Sequence, residues 1–456
     1  MNLKEKSVWT ADAESSVLQI TRSQEFRTTL KSFCDNNLRN DPVDSCVDTL
    51  NHMINEALKR ADVIRPIKMT EADTKEKKPD INNKWFDHEC KTEKANLVYI
   101  GRQACKFPND KNIISLLANK KRIFRRTIRR KKRSFERNQI KALQDTVNAG
   151  NQKLFWEKLK RIFKNTKNEK DNNFVTTDEF YNHFSNLNES TVEPTRSRQY
   201  RTVINNDHEK GPLDFTFTEE ELDKAIKKLK SNKSPGPDNI PNEFLKVTKT
   251  SFLPALVMLF NKILESGNFP RAWAYGHLIP IHKKGEKDNP ENYRGITLLS
   301  CLGKVFTSAL NKRLLDYIEV NNILQPEQAG FRGNCRTSDN IFILKAIIDK
   351  YVKGKPKKKE NYLFTCFVDL KKAFDKIDRE RLFIKLNNAG INGHLLSVIK
   401  SIYSKDESCI RNGNEISKSF CGNVGIKQGC ILSPTLFNIY MHDFPKTLNV
   451  DDNDAP

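Results

Sequence analysis

Two aspartates six residues apart, Asp369 and Asp375, lie in the segment FVDLKKAFD. The run before them, Leu363 to Val368, is apolar apart from Thr365 and has the length and composition of a strand. A carboxylate at the exit of a buried strand suits a divalent cation, because the strand fixes its position while its oxygens face a cleft. The same residues would equally serve to end a strand and cap the following helix; this stretch alone leaves both readings open. A cationic set stands upstream in WAYGHLIPIHKKGEKDNPENYRGITLL, residues 273–299, which reads as two strands around a basic loop. The loop offers Lys283 and Lys284, and the second strand begins near Arg294. Such clusters on a hairpin match a triphosphate, lysine as a point charge and arginine as a planar fork; as exposed loop residues they need no ligand. Downstream, VGIKQGCILSPTLFNIYM carries Gly425 and Gly429 in a compact loop, then Ser433 as a natural N-cap and Pro434 at N1 of an apolar helix. That loop would let backbone and the Gln428 side chain approach a nucleotide near helix N-terminal amides, or it is an ordinary loop-to-helix junction.

The flanking sequence predicts the elements that hold these groups. After Asp375 a helix starts near Asp378, carries Leu382, Phe383 and Leu386 on one face, and stops at Gly390. SVIKSIYS is helix-like and a hairpin is expected around Asn412 to Asn414. Thr218 and Glu221 form a capping-box pattern ahead of Leu222, Ala225, Ile226 and Leu229. That helix ends at SNKSPGPDNIPNEFLK, where Pro235, Gly236 and Pro237 force a turn before a new helix. LQPEQAGFRGNCR is a turn-rich segment with Arg332 and Arg336 available for backbone phosphates. Residues 41–61 place Val43, Val47, Leu50, Ile54 and Leu58 at helical spacing, with Asp41 as N-cap. From 165 to 212 the pattern weakens to a connector, apart from a short aromatic helix at Asp178 to Phe184.

The formal charge of +22 and pI near 9.4 point to a polyanionic partner, nucleic acid or an anionic membrane surface. The longest apolar run, Phe252 to Phe260, is too short to cross a bilayer, and no apolar signal segment opens the chain. Ten cysteines without a CxxC pair argue against a disulfide framework or zinc module, and read as reduced thiols in the cytosol or nucleus. The basic block from Lys84 to Lys164 peaks at KKRIFRRTIRRKKR, with ten cations in fourteen residues and no acid. Cations all round a helix repel one another without a counter-charge, so phosphate-backbone binding outweighs a solvated face; a nuclear-import signal is compatible. The residues expected to meet nucleic acid are Lys120, Lys121, Arg122, Arg125, Arg126, Arg129 and Arg130, with Arg332. In LFWEKLKRIF, Phe155, Trp156, Leu159 and Phe163 read as core.

In order, SPGPDNIPNEFLK, LIPIHKKGEKDNPENYRGITLL, LQPEQAGFR, FVDLKKAFDKID and GIKQGCILSPTLFNIYM resemble the fingers and palm of a reverse transcriptase from a non-LTR (LINE-type) retrotransposon. Each is weak alone; five in sequence are specific. The resemblance implies an α+β fold: right-hand polymerase fingers and an incomplete palm over residues 216–456, a connector at 171–215, a basic helical region at 81–170 and an ill-defined segment at 1–80. It implies an RNA-directed DNA polymerase, acting on an RNA template, a DNA primer and dNTPs with two Mg²⁺ ions, in the nucleus and cytoplasm and not at a membrane. Asp369 matches the first palm carboxylate, catalytic and metal-binding, and Phe374 the sugar gate. Lys283, Lys284, Arg294, Leu370, Gln428 and Gly429 match nucleotide-binding positions, while Asp375 is expected to support the turn. The motif that supplies the second metal ligand, an aromatic and a diaspartate on a hairpin, is not found; Asp451 and Asp452 sit in a polar tail. The chain is therefore expected to be inactive alone, the alternative being a non-catalytic nucleic-acid-binding remnant.

Overall fold

The computed structural model describes residues 5–66, 85–150, 152–164, 175–189, 210–353 and 362–444, which form a mixed helix-and-sheet protein. The chain divides into two compact units, residues 69–172 and the remainder. Asp451 and Asp452 lie outside the described residues.

The larger unit opens with β1 (Glu5–Ser7), α1 (Ala13–Thr21), α2 (Gln24–Ser32), the single turn α3 (Leu38–Asn40), α4 (Val43–Arg60) and β2 (Ile64–Pro66), which pairs antiparallel with β1. The expected apolar stripe of α4 is all buried, although Pro42, one residue after the expected Asp41, takes the N-cap position. These N-terminal elements share one core with residues far downstream, since Val17, Leu50 and Ile54 pack in the same cluster as Phe252 and Phe260. The intervening unit is helical: α5 (His88–Lys106) packs on α6 (Lys111–Asn148), followed by α7 (Gln152–Lys164). Aspartates start both long helices, Asp87 accepting from the Cys90 amide and Asp110 from those of Asn112 and Ile113. Trp156 does not enter a core as expected but is 57 % exposed, because α7 adds a partner along only part of its circumference. The Phe163 side chain lies outside the described residues.

The chain then returns with α8 (Thr177–Leu187), α9 (Glu219–Lys227), α10 (Asn242–Ser266), α11 (Arg271–Ala274), β3 (Tyr275–His282), β4 (Tyr293–Leu298), α12 (Cys301–Val320) and α13 (Thr337–Ile348). It ends in α14 (Arg379–Asn388), α15 (Gly393–Ser404), β5 (Glu407–Asn412), β6 (Glu415–Cys421) and α16 (Ser433–Met441). The sheet runs β4-β3-β5-β6. β3 pairs antiparallel with β4, Ile281 opposite Arg294, and parallel with β5, His277 opposite Cys409. Both expected hairpins, at residues 275–298 and 407–421, are present. α8, in the stretch read as a connector, is a structural layer: a Thr176–Glu179 capping box starts it, and Phe180 and Phe184 pack with Leu278, Ile410 and Phe420 over the sheet.

α10 is the one described helix long and apolar enough, by length and composition, to cross a membrane; here its Phe244, Phe252, Leu256, Phe260 and Ile263 fill the core. Phe260 meets Phe306 edge-on at 5.1 Å and Trp273 at 5.9 Å, an arrangement that suits the ring quadrupoles. The ten cysteines are all free thiols.

One expectation fails. Residues 362–370 belong to no strand, and Phe364, Phe367 and Val368 are 92 %, 83 % and 68 % exposed. A strand exists only by exchanging backbone hydrogen bonds with a neighbour, and β5, the inner parallel strand, is already flanked by β3 and β6.

His277 on β3 is buried, and desolvation, helped by Arg411, pulls its pKa down to about 4. The unfolded chain then binds a proton that the native state refuses, so stability falls as pH drops below about 6.5. Urea midpoints measured between pH 7 and pH 5 should decline, and His277→Gln should flatten that slope; equal slopes would contradict the assignment.

Candidate active site

The separated motif segments converge on one cleft of about 860 Å³. One wall is the β3–β4 hairpin. Gly285, at φ +80°, makes the turn, the Lys283 amide bonds to the Asn292 carbonyl at 2.9 Å, and the Tyr293 hydroxyl donates to the Lys287 carbonyl at 2.7 Å. This bracing presents Lys283, Lys284 and Arg294 to the cleft, exposed and without an ion pair to another described residue.

The opposite wall combines residues 369–375 with the glycine loop. Lys372, at φ +55°, turns the chain into a single 3-10 turn over Phe374–Lys376. The loop docks on it through the Gly425 amide to the Ile377 carbonyl, 2.8 Å, and the Ile426 amide to the Phe374 carbonyl, 2.9 Å. It docks on β4 through the Thr297 amide to the Gln428 carbonyl, 2.7 Å. Both glycines are required sterically: a Cβ at Gly429 (φ +124°) would lie 2.4 Å from the Thr297 carbonyl oxygen, and one at Gly425 (φ +80°) 2.8 Å from that of Asp375. Ser433 is the first residue of α16, not its cap, and its hydroxyl donates to the Lys427 carbonyl at 2.7 Å.

Phe374 stacks on Phe437 of α16, centroids 4.9 Å apart and 12° between planes, with Phe331 edge-on at 6.1 Å. Asp375 accepts from Gln428 Nε2 at 3.0 Å, and burial pushes its carboxyl above the usual range despite Gln428, Lys372 and Arg294. That contact suits the supporting role expected for Asp375. Asp369 and Leu370 line the same cleft but stand exposed on the unpaired segment, so no strand fixes the carboxylate.

Two expectations about arginines need correcting. Arg332 is not available for phosphate: its guanidinium grips Glu319 at 3.1 and 2.8 Å and donates to the Gln325 carbonyl, which fastens the turn-rich segment to α12. Arg130 pairs with Glu89, and Lys131 with Asp87 and Glu89 at 2.5 and 2.7 Å, so the KWFDHEC segment supplies the counter-charge that the basic run lacks within itself. Lys120, Lys121, Arg122, Arg125, Arg126 and Arg129 make no ion pair to another described residue. His183 was missed altogether. α8 carries it into the cleft, where burial, with Lys372 nearby, lowers its pKa. Its signal was only the aromatic pattern of a helix read as connector.

Among the described residues no group of three or more His, Cys, Asp and Glu side chains is placed to hold a metal ion. Of the cleft aspartates, Asp406 is locked to Arg379 and Lys427, and Asp375 to Gln428, which leaves Asp369.

This hairpin, turn and glycine loop lie within or beside residues 281–452, which match the family described as Reverse transcriptase (RNA-dependent DNA polymerase). About half of the chain is thus similar to RNA-directed DNA polymerases of mobile elements. It is 32 % identical over 232 residues to the probable RNA-directed DNA polymerase from transposon BS of Drosophila melanogaster. It is 31 % identical over 235 residues to that of the mobile element jockey of Drosophila funebris, and 28 % over 228 to that of transposon X-element of Drosophila melanogaster. Each alignment spans 50 % of this chain and 24 % of the relative, so the chain covers about a quarter of their length.

Proposed function

We propose that this chain forms the fingers and part of the palm of an RNA-directed DNA polymerase that copies an RNA template from a DNA primer inside the cell. The observation that carries this reading is the convergence of Lys283, Lys284, Arg294, Phe374, Gln428 and Gly429, from three separate motifs, on one cleft beside Asp369. The three cations suit a triphosphate: charge-assisted contacts are strong, and a cleft concentrates their field. Phe374, braced by Phe437, presents an aromatic edge where a sugar would lie and would disfavour a 2′-hydroxyl sterically. Gln428 is held by Asp375 against the same space. Mg²⁺, when bound, would neutralise triphosphate charge, and Asp369, which lines the cleft, would hold it together with the phosphates.

Binding of a fluorescent dNTP to the purified chain in Mg²⁺ tests the reading. Lys283→Ala with Lys284→Ala and Arg294→Ala should weaken it by at least about tenfold, on the order of one lost charge-assisted hydrogen bond. Unaltered affinity, or no binding by the wild type, would sink it. Because the described residues assemble no group of three or more metal-ligating side chains, primer extension on RNA by this chain alone is not expected.

A further inference from the structure

Beneath the glycine loop lies a set of buried charges that the nucleotide reading does not use. Arg379, at the start of α14, is 9 % exposed and spends every donor internally. Nε donates to the Gly425 carbonyl at 2.8 Å, Nη1 to the carbonyls of Tyr403 (3.0 Å) and Gly422, and Nη2 to Val424 (3.2 Å) and to Asp406 Oδ2. Three of its carbonyl partners belong to the loop itself. The second oxygen of Asp406 takes Lys427 Nζ at 2.8 Å, and that ammonium also reaches the Ala274 carbonyl ahead of β3. Asp406 and Lys427 are likewise buried, so two cations share one carboxylate under the cleft floor. A buried arrangement of this kind adds little to stability compared with an apolar core, and losing one member is costly. What it does supply is geometry: a planar fork and a point charge hold residues 422–427 from below, while Phe374 holds Ile426 and Thr297 holds Gln428 from the sides.

We propose that the Arg379–Asp406–Lys427 triad is a positioning device, which sets the height and register of the loop so that Gln428 meets Asp375 and the cleft stays open to a nucleotide. This rests on the nucleotide-cleft reading above, and Arg379 and Lys427 act through the loop rather than on the substrate.

The test combines hydrogen exchange over residues 420–432 with dNTP and RNA binding by Arg379→Lys and Asp406→Asn. Lysine keeps the charge and cannot reproduce the fork, and asparagine keeps the shape and removes the charge. Exchange at Gly425 and Ile426 should quicken at least tenfold and dNTP affinity fall at least fivefold, with exchange in α10 and affinity for RNA unchanged. A uniform rise in exchange, or a loop that loosens with dNTP affinity intact, would overturn the proposal. No dNTP binding by the wild-type chain, with exchange at Gly425 and Ile426 still quickened in the variants, would instead defeat the nucleotide reading and leave the clamp standing.

Discussion

Replacing Arg313 by alanine is expected to cost the larger unit about 3–5 kcal/mol, the range for breaking one side of a buried ion pair. The side chain is 2 % exposed. Its guanidinium grips both oxygens of Glu221 at 2.9 Å and donates to the carbonyls of Leu213 (3.2 Å), Phe215 (2.5 Å) and Thr216 (3.1 Å). It lies 3.8 and 3.9 Å from the ring centroids of Phe215 and Phe217, a cation–π position on both. Alanine would strand one carboxylate and three carbonyls, and undo the Thr218–Glu221 box that starts α9. Burial pushes the Glu221 carboxyl up, but the Arg313 hydrogen bonds and charge, with the Thr218 amide, outweigh it and leave the pKa below its ordinary value. The pair therefore stabilises above the unfolded-state pKa, and that contribution is lost as pH falls through the lower native value. Urea denaturation followed by circular dichroism at pH 7 measures the effect, with Arg313→Lys as a partial rescue. An alanine variant within about 1 kcal/mol of wild type would contradict this account.

The second large effect is expected on RNA binding by α6. Six of its cations, Lys120, Lys121, Arg122, Arg125, Arg126 and Arg129, make no ion pair to another described residue. If each meets a phosphate, the binding constant follows salt with a log–log slope of about −4, from roughly −0.7 per single-strand contact. Raising salt fourfold, from about 50 to 200 mM, should then weaken binding roughly 300-fold. Replacing all six by glutamine should flatten the slope by about 4 units, whereas replacing Lys131, paired with Asp87 and Glu89, should change it little. A slope unchanged by the sixfold replacement would show that RNA is held elsewhere. Helicity measured alongside guards against unfolding, and fewer like charges should if anything stabilise the helix.

The sequence alone determined the features whose causes lie within a few residues of one another. The Thr218–Glu221 box, the stripe of α4, Gly285 and Gly413 at the hairpin turns, and the paired glycines around Gln428 are local choices of dihedral and cap. Only the tertiary structure decided where partners come from distant chain. The run from Leu363 to Val368 has strand composition, yet a ladder needs a neighbour, and no described strand pairs with it. Arg332 and Arg130 read as phosphate ligands, yet in the fold they pair with Glu319 and Glu89, and nothing local in the sequence links Arg313 to Glu221, 92 positions away. His183 and the Arg379 triad were illegible for the same reason. Charge neutralisation and burial depend on what the fold brings within a few ångströms, and a linear sequence states no distances between residues remote along the chain.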